Sequence, residues 1–257
     1  MKIKITPVNY LNTLSFKYGL DKYKDNLSWA DIQYETPFHC AQMFVQNQTN
    51  IALAPVALLK DYPDSKYITD FCLSAHRSVD SVKLYSHTPI EKIQTVLLDY
   101  QSLSSVSLIK VLFKYHWKKR VAFLQGTPGF EQQVSEYAKV VIGDRTFALN
   151  GTFPYEYDLA KEWYDFFGKP FVFAVWFSNI KLTSNQLQDF SNALNYGVKH
   201  TDEAINTVLN EQKYFPNFSE QERKEKITEY LKHKICYQLD ADRQSSIQHF
   251  IKLLRTI

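Results

Sequence analysis

Short polar stretches in this 257-residue chain follow apolar runs, and their residue types suit the binding of an anion. Asp99-Tyr100-Gln101-Ser102-Leu103-Ser104-Ser105 lies between an apolar run at 95–99 and a helical pattern carrying Leu108, Ile109, Leu112 and Phe113. Hydroxyls and free backbone N–H groups at a helix start form a site suited to a carboxylate. Tyr10-Leu11-Asn12-Thr13 follows the alternating segment 2–6, and Gly143-Asp144 ends the run Val140-Val141-Ile142. Each also has an ordinary reading. Asn12 or Thr13 can cap a helix, the serines can cap theirs, and Gly143-Asp144 can be a plain turn. Ser81 stands alone before the run 82–86, where a crossover between two lobes would start.

Other chemistries lack their residues. The chain has neither G-x-x-x-x-G-K-[ST] nor G-x-G-x-x-G, so a P-loop or dinucleotide fingerprint is not expected. No His pair stands at metal spacing beside a third ligand, C-x-x-C is absent, and His39, His76 and His116 are scattered. Neither a metal nor a cofactor is expected.

The elements that must position these residues alternate. Strand-like runs at 2–6, 31–35, 51–54, 82–86, 95–99, 120–124, 140–142 and 170–178 are separated by amphipathic segments, including helices over 105–115 and 158–167. This alternation predicts an α/β fold. Open α/β sheets bind ligands at strand ends, which is where the polar stretches fall. After 178 the pattern turns helical over 183–209, 219–231 and 240–254, and strands are expected to stop there. A helical tail needs something to pack on, so residues 1–85 and 178–257 are read as a discontinuous first lobe, with 86–177 as the second.

A content of 45% hydrophobic residues with 18 Phe and 17 Tyr fills such interiors. Net charge is only +3, and Lys118-Lys119-Arg120 reads as a solvated turn, so nucleic acid is not an expected partner. The longest apolar run, 171–177, is far short of the roughly 18–20 residues that span a bilayer. With no signal peptide expected from Met1-Lys2-Ile3-Lys4-Ile5, and Cys40, Cys72 and Cys236 odd in number, a cytoplasmic protein with reduced thiols is predicted. A homodimer is left open.

In combination these motifs resemble one family. Tyr10-Leu11-Asn12-Thr13, Ala54-Pro55-Val56-Ala57-Leu58-Leu59, Val79-Asp80-Ser81-Val82, Asp99 through Ser105 and Ile142-Gly143-Asp144 occur in the order of the chorismate dehydratases of the futalosine route to menaquinone. The resemblance continues through Tyr157-Asp158-Leu159-Ala160-Lys161-Glu162-Trp163 and is most specific at Gly168-Lys169-Pro170-Phe171-Val172-Phe173-Ala174-Val175-Trp176. It covers about residues 3–180. Ser15 stands where the family usually has Pro, Ala75-His76-Arg77 replaces a Gly-containing turn, and Arg145 occupies a position where a small residue is common.

The resemblance implies a two-lobed, periplasmic-binding-protein-like (type II) fold with the ligand cleft between lobes. It implies a lyase that removes water from chorismate to give 3-[(1-carboxyvinyl)oxy]benzoate. Asn12 and Ser81 would face the reacting part of the substrate, Ser102, Ser104 and Ser105 would hold a carboxylate, and Gly143 and Asp144 would contact the ligand. Near the strand ends the motifs that would line the cleft offer no His or Lys and only the acids Asp99 and Asp144. The proton is therefore expected to go to the substrate's own enolpyruvyl carboxylate, with Asp144 as the competing base. A cytosolic protein that binds small carboxylates without catalysis is one rival. The related 1,4-dihydroxy-6-naphthoate synthase is another, but its Ser-Pro-Cys-Pro-type turn is replaced here by Asn9-Tyr10-Leu11-Asn12.

Overall fold

Ile51-Ala52-Leu53-Ala54-Pro55 is apolar at every position, and a strand without a polar face has to be covered on both sides. In the computed structural model, which describes residues 2–133, 135–211, 214–215 and 218–257, all five are buried. The strands are β1 (Ile3–Thr6), β2 (Ala30–Ile32), β3 (Ile51–Pro55), β4 (Lys66–Ala75), β5 (Val82–Ser86) and β6 (Thr95–Leu98). They continue as β7 (Ala122–Gln125), β8 (Ala138–Ile142), β9 (Tyr155–Asp158), β10 (Phe171–Ser178) and β11 (Ile235–Gln238). One sheet has the order β11-β4-β10-β3-β1-β2 and the other β7-β6-β8-β5-β9.

The two sheets are built alike. β10 lies antiparallel between β3 and β4, and β5 lies antiparallel between β8 and β9. Each is the first strand after the chain has crossed from the other lobe. This corrects the expected lobe boundaries, because strand 82–86 belongs to the second sheet and strand 170–178 to the first. Hydrophobic pattern identifies a strand without saying which sheet receives it.

Three strands escape the pattern. β4, the longest, interleaves Thr69, Asp70 and Ser74 with apolar residues and carries register shifts against β10. β9 is only four residues long, and β11 pairs with the edge of β4, so strands do not end at 178. The helix Pro37–Val45 is opened by Thr36, whose side chain accepts the His39 N–H, with Pro37 at its first turn. The expected helix over 183–209 is two, Ser184–Lys199 and Thr201–Asn206, broken where His200 leaves helical geometry at φ −112° and ψ 36°.

Packing fixes the first lobe tightly. Trp176 of β10 is wholly buried and meets Phe16 and Phe190 edge-on at 5.8 and 5.0 Å. The helices Leu14–Lys22 and Ser184–Lys199 cross so closely that a Cβ on Gly197 would lie 1.8 Å from the Ser15 carbonyl oxygen.

The first crossover is pinned by Asp158. Its Oδ1 accepts the Ala160 and Lys161 N–H groups, capping the helix Leu159–Phe167. Its Oδ2 accepts those of Val79 and Asp80 at 2.9 and 2.6 Å. Four backbone donors on one carboxylate thus hold Asp80 at φ +61° and deliver Ser81 to the space between the sheets.

Candidate ligand cleft

A cavity of about 50 Å3 lies between the lobes where the ends of the two sheets face each other. Val8, Tyr10 and Asn12 reach it from beyond β1, and Phe173 and Ala174 from β10. Ser102, Ser104, Ser105 and Gly143 line it from the second lobe, and Ser81 from the crossover. The structure therefore gathers Asn12, Ser81, the three serines and Gly143 in one place.

Asn12 sits in the short 3-10 turn Leu11–Thr13. The capping alternative does not describe it: no side chain caps this turn, and the single Thr13 hydroxyl proton is shared between the Val8 and Tyr10 carbonyls, each 2.7 Å from Oγ1. Asn12 Oδ1 is buried and has no hydrogen-bond partner among the described residues. Native proteins rarely leave a buried polar atom unpaired, because its lost hydration costs about 1–3 kcal/mol. An amide so placed on a cavity wall is waiting for a ligand atom.

The serines divide in role. Ser102 Oγ accepts the Ser105 N–H at 3.1 Å, so Ser102 stabilises the start of the helix Ser104–Val111 while its own proton stays available. Ser104 lines the cavity but spends its hydroxyl on a tie between lobes, donating to the Phe173 carbonyl at 2.8 Å and accepting the Ala57 N–H at 3.3 Å. Ser105 is buried on the wall at the first turn. Ser81 Oγ accepts from the Tyr230 hydroxyl at 2.7 Å, and the Ser81 carbonyl accepts the Gly143 N–H at 2.8 Å. Gly143 has φ +68°, and a Cβ there would lie 2.8 Å from the Tyr10 ring, so glycine is demanded by both conformation and space.

Asp144 is not among the lining residues, contrary to expectation. Its carboxylate accepts the Leu11 N–H at 3.0 and 3.3 Å, fastening the second lobe to the turn that carries Asn12. Beside this contact the Tyr10 hydroxyl donates to Gln101 Oε1, which also accepts from Arg145 at 3.3 Å. Arg145 in turn grips Asp99 at 2.6 and 2.8 Å and Glu131 at 3.2 Å. Burial raises the Asp99 carboxyl above the ordinary range, and the neighbouring Arg145 guanidinium offsets only part of that rise. Burial likewise lifts the Tyr10 phenol, keeping it a neutral donor.

No carboxylate, imidazole or ammonium is among the described residues lining the cavity. An anion held here would rest on neutral donors, the serine hydroxyls and the helix start at Ser104, while the unpaired Asn12 oxygen would accept from a ligand hydroxyl. A cation stands one step behind the wall, where Arg243 Nε donates to Ser74 Oγ at 2.7 Å and Ser74 lines the cavity. Sequence reasoning missed Arg243 and Tyr230, which lie beyond the matched motifs. It also missed the tie made by Tyr10 and Gln101, although both residues fell inside quoted motifs.

A family model described as menaquinone biosynthesis matches residues 3–256. Among solved structures, protein AF1704 from Archaeoglobus fulgidus superposes with a TM-score of 0.76 at 11% identity, covering 99% of this chain and 97% of that one. The Candida albicans CA3427 gene product, described as exhibiting the generic periplasmic binding protein structural fold, gives 0.60 at 13%, with 100% and 91% covered. The alkanesulfonate-binding protein SsuA from Xanthomonas axonopodis pv. citri, bound to MOPS, gives 0.64 at 13%, with 98% and 94% covered. These likenesses establish the two-lobed periplasmic-binding-protein fold.

Proposed function

The chain belongs to the menaquinone biosynthesis family, and on that footing we propose that it is a lyase that dehydrates chorismate to 3-[(1-carboxyvinyl)oxy]benzoate. The observation that carries the reading is the Asn12 amide oxygen, an acceptor buried without a partner among the described residues on the wall of a cavity whose opposite side is a serine-rich helix start. Such a pair of walls suits a small molecule with polar groups at both ends, as chorismate has.

Chorismate loses the ring proton next to its enolpyruvyl ether, and the electron pair of that C–H bond enters the ring as the C–O bond of the neighbouring hydroxyl breaks. The base that takes the proton passes it to the departing hydroxyl, so that water leaves and the ring becomes aromatic. Negative charge builds toward the ring carboxylate on the way, so donors fixed around that carboxylate lower the barrier. In this reading Ser102, Ser105 and the adjoining helix N-terminus serve the ring carboxylate, and Asn12 and Ser81 the ether and hydroxyl side. With Tyr10 the only ionisable group among the described residues lining the cavity, the base best supported is the substrate's enolpyruvyl carboxylate, which the protein only has to position.

No helix among the described residues is long and apolar enough to cross a membrane, and Cys40, Cys72 and Cys236 are free thiols. The free thiols agree with a cytoplasmic setting.

The test is to mix purified protein with chorismate and follow ultraviolet absorbance as the diene becomes an arene. Turnover is expected, and Asn12→Ala is expected to lower it by about a hundredfold through loss of the polar group that orients the substrate hydroxyl. Chorismate that binds and stays unchanged would make the chain a binder instead of an enzyme.

A further inference from the structure

Tyr230 is the second residue of a π-helical turn, Glu229–Lys234, between the helix Glu220–Thr228 and β11. Such turns insert one extra residue and re-aim the side chains around them. Tyr230 is 4% exposed, and its ring stands edge-on to Phe147 of the second lobe at 5.1 Å and 81°. Its hydroxyl donates to Ser81 Oγ at 2.7 Å. A phenol has one proton, and this one is committed to the serine. Burial holds the phenol well above its ordinary value, so the proton stays on at any working pH.

The consequence falls on Ser81. A serine hydroxyl both donates and accepts. With an accepting lone pair taken by Tyr230, the Ser81 proton is turned to another side, and Ser81 lines the ligand cavity. We infer that Tyr230 is a positioning residue for Ser81: its donated hydrogen bond fixes the serine as a hydrogen-bond donor aimed into the cavity, toward an oxygen of the bound carboxylated ligand. The inference rests on the proposed use of this cleft, since the ligand oxygen is the substrate's. It extends the site to a side chain 149 residues distant in sequence, on a segment the motif resemblance does not reach.

Tyr230→Phe keeps the ring against Phe147 and removes only the donor. Two measurements decide the matter. In a crystal structure of Tyr230→Phe, the Ser81 side chain is expected to leave its present rotamer; an unchanged rotamer would overturn the inference whatever the enzyme does. In a double-mutant cycle on chorismate turnover, Tyr230→Phe is expected to lower kcat/KM about tenfold in the natural protein and to do nothing further in a Ser81→Ala background. Equal losses in both backgrounds would mean a structural role and sink the positioning role. A natural protein that fails to convert chorismate defeats the proposed reaction and leaves the crystallographic arm to decide Tyr230.

Discussion

An amide oxygen buried without a partner is a standing cost to the folded state, which makes Asn12 testable from the stability side as well as by turnover. Asn12→Ala removes that cost, so thermal melting is expected to show a variant as stable as the natural protein or steadier by about 1 kcal/mol while activity collapses. A large drop in melting temperature would mean that Asn12 has a structural partner after all. Asp144 is separable in the same spirit. Its carboxylate accepts the Leu11 N–H, a task an amide oxygen can also perform. Asp144→Asn is therefore expected to keep most of its turnover; loss of turnover with substrate binding intact would make Asp144 the base and remove the substrate-assisted route. The sequence pointed to Asn12, Ser81, Ser102, Ser105 and Gly143 because local motif order carries them. It could not distinguish Ser104, whose hydroxyl is consumed by Phe173 and Ala57, or Asp144, whose partner lies 133 residues away. Those assignments depend on which strand ends the fold brings together.

At the scale of elements, the legible strands were those whose apolar runs need no distant explanation, such as β3, β8 and β10. β4 was not legible because its polar residues are paid for across the sheet: Ser74 donates to the Cys236 carbonyl of β11 at 2.8 Å and accepts from Arg243. The helix Pro37–Val45 did carry a readable signal, the Thr36 cap followed by Pro37. The C-terminal helix Ala241–Leu254 shows how one element joins both lobes. His249 sits on Trp163 and Phe167, with ring centroids at 5.8 and 5.2 Å, and its Nε2 is buried without a partner among the described residues. Burial, and then the nearby Lys169 and Lys252, lower its pKa from the ordinary 6.5. Between 6.5 and that lowered value the unfolded chain binds more protons than the folded one, so stability falls as pH drops through this window. Urea unfolding at pH 7.5 and at mildly acidic pH is expected to show a smaller loss for His249→Gln than for the natural protein. Equal losses would show that His249 does not contribute.

For the whole molecule, the two lobes are held across the cleft by Tyr10 to Gln101, Leu11 to Asp144, and Ser104 to Phe173 and Ala57. The enclosed space of about 50 Å3 is small beside the roughly 300–1,000 Å3 of clefts that hold drug-sized ligands, so a molecule such as chorismate enters only when these ties part. Combining Tyr10→Phe with Asp144→Ala is expected to shift the ligand-free protein toward open forms, seen as a larger radius of gyration in small-angle scattering. Unchanged scattering would remove these contacts as ties. The placement of β10 has a further consequence, for the order in which the protein is made. Every strand of the second sheet, β5 through β9, is synthesised before β10. In the first sheet β3 and β4 have no contact as neighbours until β10 is laid between them. A chain still growing past residue 167 thus holds all the strands of its second lobe and a first lobe split in two. The half of the molecule begun first is the half completed last.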